Sequence, residues 1–206
     1  MKTLAIDCAT EGCSVALFQG DDWVAGEFRM LGRGHAEQLV PMIAQLPERG
    51  RADRICVSLG PGSFTGVRIG LAAARALGLA WRAEVLGYPT LALVAAMARR
   101  DRGAQPVTVC MTGGHGEWFL QDFSAEGMPE GPLESLRPDA AATRPCHALI
   151  AGTQSEALVA ARGSGAALPL WPEARHLPLL PAALLTPALS PIYGRAPDAR
   201  LPGAAA

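Results

Sequence analysis

The same local pattern opens both halves of the chain, and this repetition constrains the fold more than any other feature. In the first half, apolar runs at 4–10 and 14–18 flank a short turn, and a third alternating run follows at 23–30. Such a series predicts three consecutive antiparallel strands. In the second half, runs at 107–111 and 118–123 flank a glycine-rich turn. The sequence therefore predicts a duplicated fold in which each copy starts with a meander.

Strands and helices alternate after each opening. The patterns predict helices at 35–46, 67–83 and 90–100, strands at 55–60 and 85–88, and in the second half a strand at 147–152 and a helix at 154–162. A meander followed by alternating strands and helices indicates an α/β fold with mixed sheets and helices packed against them. Thr90 is the expected N-cap of the third helix.

Proline usage indicates that the second copy is reduced. Of the 17 prolines, four lie in residues 1–103 and 13 lie in residues 104–206. Prolines interrupt regular elements, so the second half is expected to have shorter strands and helices and more loops. We expect an N-terminal domain at 1–103, a smaller Pro-rich domain at 104–196 and a disordered tail at 197–206.

Length and charge exclude several function classes. A chain of 206 residues with a net charge of -1 has no strongly basic stripe, which argues against a dedicated nucleic-acid binder. Any contact with RNA is therefore expected to come from a few local arginines or from a partner. The length is also too short for a complete two-lobed nucleotide enzyme of the larger kinds.

Metal and membrane sites are not predicted. The five cysteines form no C-x-x-C pair, and the four histidines have no H-x-x-x-H spacing, so we expect no metal and no cofactor. The uncharged stretch 176–194 contains four prolines, each of which removes a backbone donor from a spanning helix. We interpret this stretch as a Pro-rich covering segment of a soluble, cytoplasmic protein without a membrane span.

The most informative motif is a glycine-rich loop between a predicted strand and a predicted helix, formed by Gly60, Pro61, Gly62, Ser63, Phe64, Thr65 and Gly66. A loop at a helix start can offer N–H groups to an anion. However, it has neither the lysine of a P-loop nor the third glycine of a dinucleotide-binding loop. A ligand loop and a structural turn or docking loop therefore both remain open.

Asp7 and Thr10 lie where the first predicted strand meets its turn. A carboxylate at a strand end can hold a metal ion or a water molecule, and a neighbouring turn can offer N–H groups to phosphate. The alternative is a carboxylate that accepts hydrogen bonds from the adjacent turn. The two residues are thus a candidate vestigial phosphate or metal site.

Two helices carry candidate pairing surfaces. In the predicted helix 67–83, one side groups small residues with apolar neighbours, and the opposite side carries Arg68, Arg75 and Arg82. The first side consists of Val67, Gly70, Leu71, Ala74, Leu77 and Gly78. The predicted helix 35–46 has an apolar stripe formed by His35, Leu39, Met42, Ile43 and Leu46. Such surfaces pack either on the chain's own sheet or on the helices of another subunit.

Four segments resemble one known family. They are LAIDCATEGCSVAL at 4–17, GHAEQLVPMI at 34–43, SLGPGSFTGVRIGLAAARALGLA at 58–80 and the short PIYGRAPDA at 191–199. These motifs are similar to the TsaB (YeaZ) family, the non-catalytic paralogues of the tRNA threonylcarbamoyl transferase TsaD. The resemblance is dense over residues 1–100 and thin between 104 and 190.

The resemblance implies an actin-like, sugar-kinase-like duplicated fold and a role in tRNA modification. In that family the protein pairs with TsaD through two N-terminal helices, here 35–46 and 67–82, and TsaE joins them. TsaD then attaches threonylcarbamoyl to the adenosine beside the anticodon, with a donor supplied by TsaC. The implied role is a catalytically silent scaffold that contacts tRNA only indirectly and forms a homodimer when alone.

One segment departs from the family. Members usually carry an Asp-Ala-Arg stretch at the second meander, and this chain has MTGGHGE at 111–117. The rival to the scaffold is an ATP-binding enzyme of the actin-like class that uses Asp7 and the loop 60–66. Such an enzyme needs an acidic second phosphate loop, which 111–117 does not provide. A protease is disfavoured because no nucleophile–base pair is recognisable.

Overall fold

A computed structural model describes residues 1–194, so the expected tail at 197–206 lies outside the described residues. The first half forms a five-stranded mixed sheet with three helices. Its elements are β1 (Lys2–Asp7), β2 (Gly12–Gln19), β3 (Asp22–Met30), α1 (His35–Gln45), β4 (Arg54–Ser58), α2 (Phe64–Trp81), β5 (Glu84–Tyr88) and α3 (Thr90–Arg102).

The second half forms another five-stranded sheet from shorter elements. These are β6 (Val107–Thr112), β7 (Trp118–Phe123), β8 (Glu134–Leu136), α4 (Pro138–Thr143), β9 (Leu149–Ala151), α5 (Ser155–Arg162) and β10 (Ala166–Leu168). Two 3-10 helices, Ala174–Leu179 and Ala182–Leu184, follow. The strands β8, β9 and β10 have three residues each, which agrees with the expected reduction of this copy.

The two sheets have the same topology, which confirms the duplication. The first has the order β3-β2-β1-β4-β5, and the second has the order β8-β7-β6-β9-β10. In both, the first three strands are antiparallel neighbours and the last two run parallel to the first strand. A helix follows the third strand and another follows the fourth in each copy. This is the duplicated actin-like α/β fold that the sequence predicts.

Helix α3 fills the space between the sheets. Its first nine residues, from Thr90 to Ala98, are all buried, and seven of them share a core cluster with residues of both sheets such as Phe18 and Val109. Helices α1 and α2 cover the other face of the first sheet, against a second cluster that includes Leu4, Ile6 and Val57. The division at residue 103 stays a prediction, since α3 packs on both copies.

Thr90 does not cap α3 as expected. The N-cap is Pro89, and no side chain caps the helix. The Thr90 hydroxyl instead lies 2.5 Å from the Ser58 hydroxyl in the buried end of β4. A hydroxyl with a buried partner satisfies its hydrogen-bonding need there, so it is not available to the helix terminus.

The Pro-rich segment near the C-terminal end of the described chain returns to the first half. Thr186 forms a two-way backbone bridge with Gly87 of β5, and the Ile192 N–H donates to the Leu59 carbonyl at 2.7 Å. These bonds confirm a covering segment. In residues 1–194, none of the helices has the length and hydropathy needed to cross a bilayer.

Candidate functional site

The glycine-rich loop 60–66 docks on the turn that follows β1. The Ser63 N–H donates to the Ala9 carbonyl at 2.7 Å, and the Ser63 hydroxyl accepts from the Gly66 N–H at 3.2 Å, which caps α2. A Cβ at Gly62 would overlap the Ala9 carbonyl oxygen, and one at Gly66 would overlap the Cys8 carbonyl oxygen. The two glycines thus permit backbone to approach backbone, as a docking loop requires.

Asp7 is a buried carboxyl held by the chain itself. Its Oδ1 accepts from the Ala9 N–H at 2.9 Å, and its Oδ2 lies 3.1 Å from the Tyr88 hydroxyl. That hydroxyl also lies 3.0 Å from the Ile6 carbonyl oxygen. Because the Tyr88 proton can serve only one of these acceptors, a protonated Asp7 completes the network by donating to the Tyr88 oxygen.

Burial raises the pKa of Asp7 from 3.8 to about 7, although the bonds from Ala9, Tyr88 and Ser58 oppose this effect. The side chain is 1% exposed and does not line the cavity described below. Thr10 does line it, but its hydroxyl accepts from the Gly12 N–H at 3.1 Å. This geometry argues against the candidate vestigial phosphate or metal site, which stays a prediction, because burial disfavours the ionised carboxylate that would bind a cation.

A cavity of about 600 Å³ lies between the corresponding turns of the two copies. Its wall consists of residues 9–11, 62–64, 112–115 and 192–194 together with Arg68 and Phe119. The volume is in the range of small-molecule sites. The atypical segment 111–117 therefore contributes directly to the wall, opposite the loop 60–66, and the end of the covering segment completes it.

Among residues 1–194, the wall of this cavity contains one arginine, Arg68, and no lysine. Its guanidinium carbon lies 3.5 Å from the centre of the Phe64 ring, and it donates to the Tyr193 hydroxyl at 2.9 Å. Phe64 and Tyr193 are both more than half exposed. Sequence reasoning named Phe64 and Arg68 but missed Tyr193, which lies 125 positions further along the chain.

The candidate pairing residues lie inside the chain's own core. On α2, the buried residues are Val67, Gly70, Leu71, Ala74 and Gly78, and Leu77 is half-buried. The candidate residues at α1 are all buried, namely His35, Leu39, Met42, Ile43 and Leu46. The Gly70 position packs against Ile6 and Val57, and a Cβ at Gly78 would overlap Val85.

This placement argues against the predicted pairing surface, which stays a prediction. The apolar stripes of both helices cover the chain's own sheet, and they are not available to another subunit. Each helix also has an outward face, and that of α2 contains Ala72, Ala76 and Leu79. The equivalent face of α1 contains Val40 and Ala44.

In residues 1–194 no group of three or more His, Cys, Asp or Glu side chains lies close enough to hold a metal ion. The histidines have other roles. His35 Nε2 lies 3.3 Å from the Gly12 carbonyl oxygen, and His176 is buried beside Arg100. Desolvation, and then the charges of Arg100 and Arg175, lower the pKa of His176 to about 4.

Comparisons with known proteins identify sequences similar to this chain. The family model described as "TsaD: tRNA N6-adenosine threonylcarbamoyltransferase" matches residues 29–128. The chain is 36% identical over 131 residues to the tRNA threonylcarbamoyladenosine biosynthesis protein TsaB of Escherichia coli, in an alignment that covers 61% of this chain and 56% of that protein. It is 30% identical over 110 residues to the Bacillus subtilis protein of the same name, with coverages of 50% and 47%. The chain thus aligns with about half the length of these curated relatives.

Solved structures match over more of the chain. A Pseudomonas aeruginosa protein described as similar to the peptidase YeaZ has a TM-score of 0.74 and 30% identity, over 85% of this chain and 88% of that chain. The ethanolamine utilization protein EutJ of Carboxydothermus hydrogenoformans has a TM-score of 0.50 at 11% identity, over 88% and 90% of the two chains, and shows the fold alone. With the sequence motifs, the duplicated sheets and these relatives together, the chain belongs to the TsaB (YeaZ) family.

Proposed function

We propose that the chain is a catalytically silent scaffold subunit required for threonylcarbamoyladenosine modification of tRNA. It acts by pairing with TsaD as a heterodimer, which TsaE joins in a larger complex, and it contacts tRNA only indirectly, in the cytoplasm. The curated relatives in Escherichia coli and Bacillus subtilis are named as biosynthesis proteins for this modification, which supports the proposal. The net charge of -1 is consistent with a subunit whose partner holds the RNA.

The observation that carries the proposal is the outward face of the two neighbouring helices α1 and α2. Leu79 is 84% exposed and Val40 is 56% exposed, although both belong to helices whose inner stripes are buried. Their exposed neighbours on the two helices include five alanines, namely Ala36, Ala44, Ala72, Ala76 and Ala80. Small residues allow a second pair of helices to approach closely, and exposed large apolar residues mark a contact surface.

The burial of the inner row of α2 determines which substitution can test pairing. Ala74 lies in the middle of the small-residue row but is fully buried against the chain's own sheet. A large side chain there would disturb the fold and could not report on pairing. Leu79 lies on the opposite side of the helix, so its substitution leaves the core intact.

We expect Leu79→Arg to remove most of the co-purification with TsaD. An unpaired charge buried in a helical interface weakens binding by about tenfold or more. The measurement is affinity purification of tagged TsaD with the wild-type and variant chains at equal expression. Light scattering of the chain alone provides a second measurement, because the same substitution is expected to convert a self-associated form to monomer.

Met128→Arg is the matched control, because Met128 is an exposed apolar residue of the second half, remote in sequence from α1 and α2. It is expected to bind TsaD as the wild-type chain does, and both variants are expected to unfold at wild-type temperature. Unchanged pairing by both Leu79→Arg and Val40→Glu would contradict the helical surface. Failure of the wild-type chain to bind TsaD at all would contradict the scaffold role.

The alternative is an ATP-binding enzyme that uses Asp7 and the loop 60–66. The cavity between the corresponding turns of the two copies favours a bound small molecule. The buried state of Asp7 and the docking role of Gly62 and Gly66 argue against their part in nucleotide chemistry. Calorimetry with Mg-ATP separates the two functions, because tight binding with turnover supports the enzyme and disfavours the scaffold.

A further inference from the structure

The cavity between the two copies has the chemical features of a ligand site that the scaffold role does not use. Aromatic and aliphatic side chains, including Phe64, Phe119, Ile192 and Tyr193, form much of its wall. A few polar groups accompany them, as in most small-molecule sites. The positions of these polar groups limit what the cavity can bind.

Four backbone donors of the loops around the cavity are directed to acceptors within those loops. The Ser63 N–H donates to Ala9, the Gly113 N–H donates to the Glu117 carbonyl at 2.8 Å, and the Glu117 N–H donates to Gly114. The Gly12 N–H donates to the Thr10 hydroxyl. A polyphosphate cradle needs several such donors aimed at the ligand, and those named here are directed to the loops themselves.

Arg68 supplies a permanent positive charge to the wall. In the described part of the chain it has no carboxylate partner, and it contacts the Phe64 ring and the ring and hydroxyl of Tyr193. The carboxylate in the wall, Glu11, accepts from the Trp171 indole N–H at 2.9 Å. The single arginine charge can pair with one anionic group, and the negative charge of Glu11 further disfavours a polyphosphate.

The aromatic residues around Arg68 favour a flat ligand. Phe64 lies against the guanidinium and fixes its position, and the Tyr193 ring centre lies 5.9 Å from the guanidinium carbon. Tyr193 is 52% exposed. An exposed ring beside a fixed guanidinium offers a stacking surface and a fork of N–H donors in one place.

We propose that this cavity binds a small planar aromatic molecule that carries one anionic group, without a divalent metal ion. The anionic group pairs with Arg68, and the ring packs between Tyr193 and the apolar wall. Two sources share this chemistry, a nucleoside monophosphate and an aromatic carboxylic acid. The proposal does not depend on pairing with TsaD.

The test is equilibrium binding to the full chain in buffer with EDTA, measured by calorimetry with AMP and with indole-3-carboxylate. Their neutral parents, adenosine and indole, are measured beside them. We expect at least one acid to bind about tenfold or more tightly than its parent, and the preferred acid identifies the source. Arg68→Ala is expected to weaken the acid by about 10- to 100-fold and leave the parent unchanged, as for loss of a charge-assisted hydrogen bond.

Arg75→Ala is the matched control. Arg75 lies two turns further along α2, is exposed, and donates to the Leu189 carbonyl outside the cavity wall. This variant is expected to bind both acids as the wild-type chain does. Three results would overturn the proposal: no saturation by either acid up to about 10 mM, acid binding that Arg68→Ala leaves intact, or Mg-ATP binding tighter than AMP binding.

Discussion

Asp7→Asn is expected to make the protein more stable than the wild type above neutral pH and equally stable near pH 4. Asp7 has its pKa raised by burial from 3.8 to about 7. Between these two values the folded state binds a proton that the unfolded state has released, so the stability of the wild type falls as pH rises. The difference between the two pKa values corresponds to an upper limit of about 4 kcal/mol.

Asparagine imitates the protonated carboxyl. Its amide oxygen accepts from Ala9, and its NH₂ group donates to the Tyr88 oxygen while Tyr88 donates to Ile6. We therefore expect the variant to gain about 2–4 kcal/mol over the wild type at about pH 8 and to match it at about pH 4. The measurement is urea unfolding of both proteins across this pH range.

The difference between the unfolding free energies of Asp7→Asn and the wild type, taken at each pH, isolates the contribution of Asp7. His176 has its pKa lowered to about 4, mainly by desolvation, so it makes stability rise with pH between that value and 6.5, the opposite direction. This contribution is common to both proteins and cancels. Asp53→Asn, at an exposed carboxylate that accepts from the Lys2 backbone N–H, is the control for a loss of charge. Parallel curves for Asp7→Asn and the wild type would show that Asp7 is ionised in the folded state.

Local patterns carried most of the fold prediction. The predicted runs 118–123 and 90–100 lie within one or two residues of β7 and α3, because a period of two is visible in a strand of about six residues and a period of 3.6 is visible in a helix of about ten or more. The elements β8, α4 and β10 were missed. The strands β8 and β10 have three residues each and α4 has six, too few for a period to show.

The site was harder to predict because it depends on contacts between distant positions. Periodicity finds the faces of α2 but does not say which one the sheet covers, so the sequence also allows the inner row with Gly70 and Ala74 as a pairing surface. The outer face is mostly alanine and arginine and gives no strong apolar signal. Likewise, the choice between the two interpretations of Asp7 depended on Tyr88, 81 positions away, which no local pattern reveals.

The docking role of the glycine-rich loop gives the second large prediction. Gly66 lies in the first turn of α2, where a Cβ would overlap the carbonyl oxygen of Cys8. This contact lies between the backbone of the first helix turn and the backbone of the segment after β1. Neither can move aside as a flexible side chain does. Cys8 is itself fixed in the core, 1% exposed, with its Sγ 3.6 Å from that of Cys13.

Gly66→Ala is therefore expected to destabilise the protein by about 3 kcal/mol, the upper end of the range for overpacking. For a chain of this length that corresponds to a fall in Tm of about 6–12 °C, measured by thermal unfolding. Alanine normally favours a helix over glycine, so a loss of stability here would have to come from the contact with Cys8. Thr65→Ala, at the exposed neighbouring position of the same turn, is the control and is expected to change stability by less than about 0.5 kcal/mol. A Gly66→Ala variant as stable as the wild type would remove the packing reason for this glycine, and an anion held by the loop would again be the better explanation of the motif.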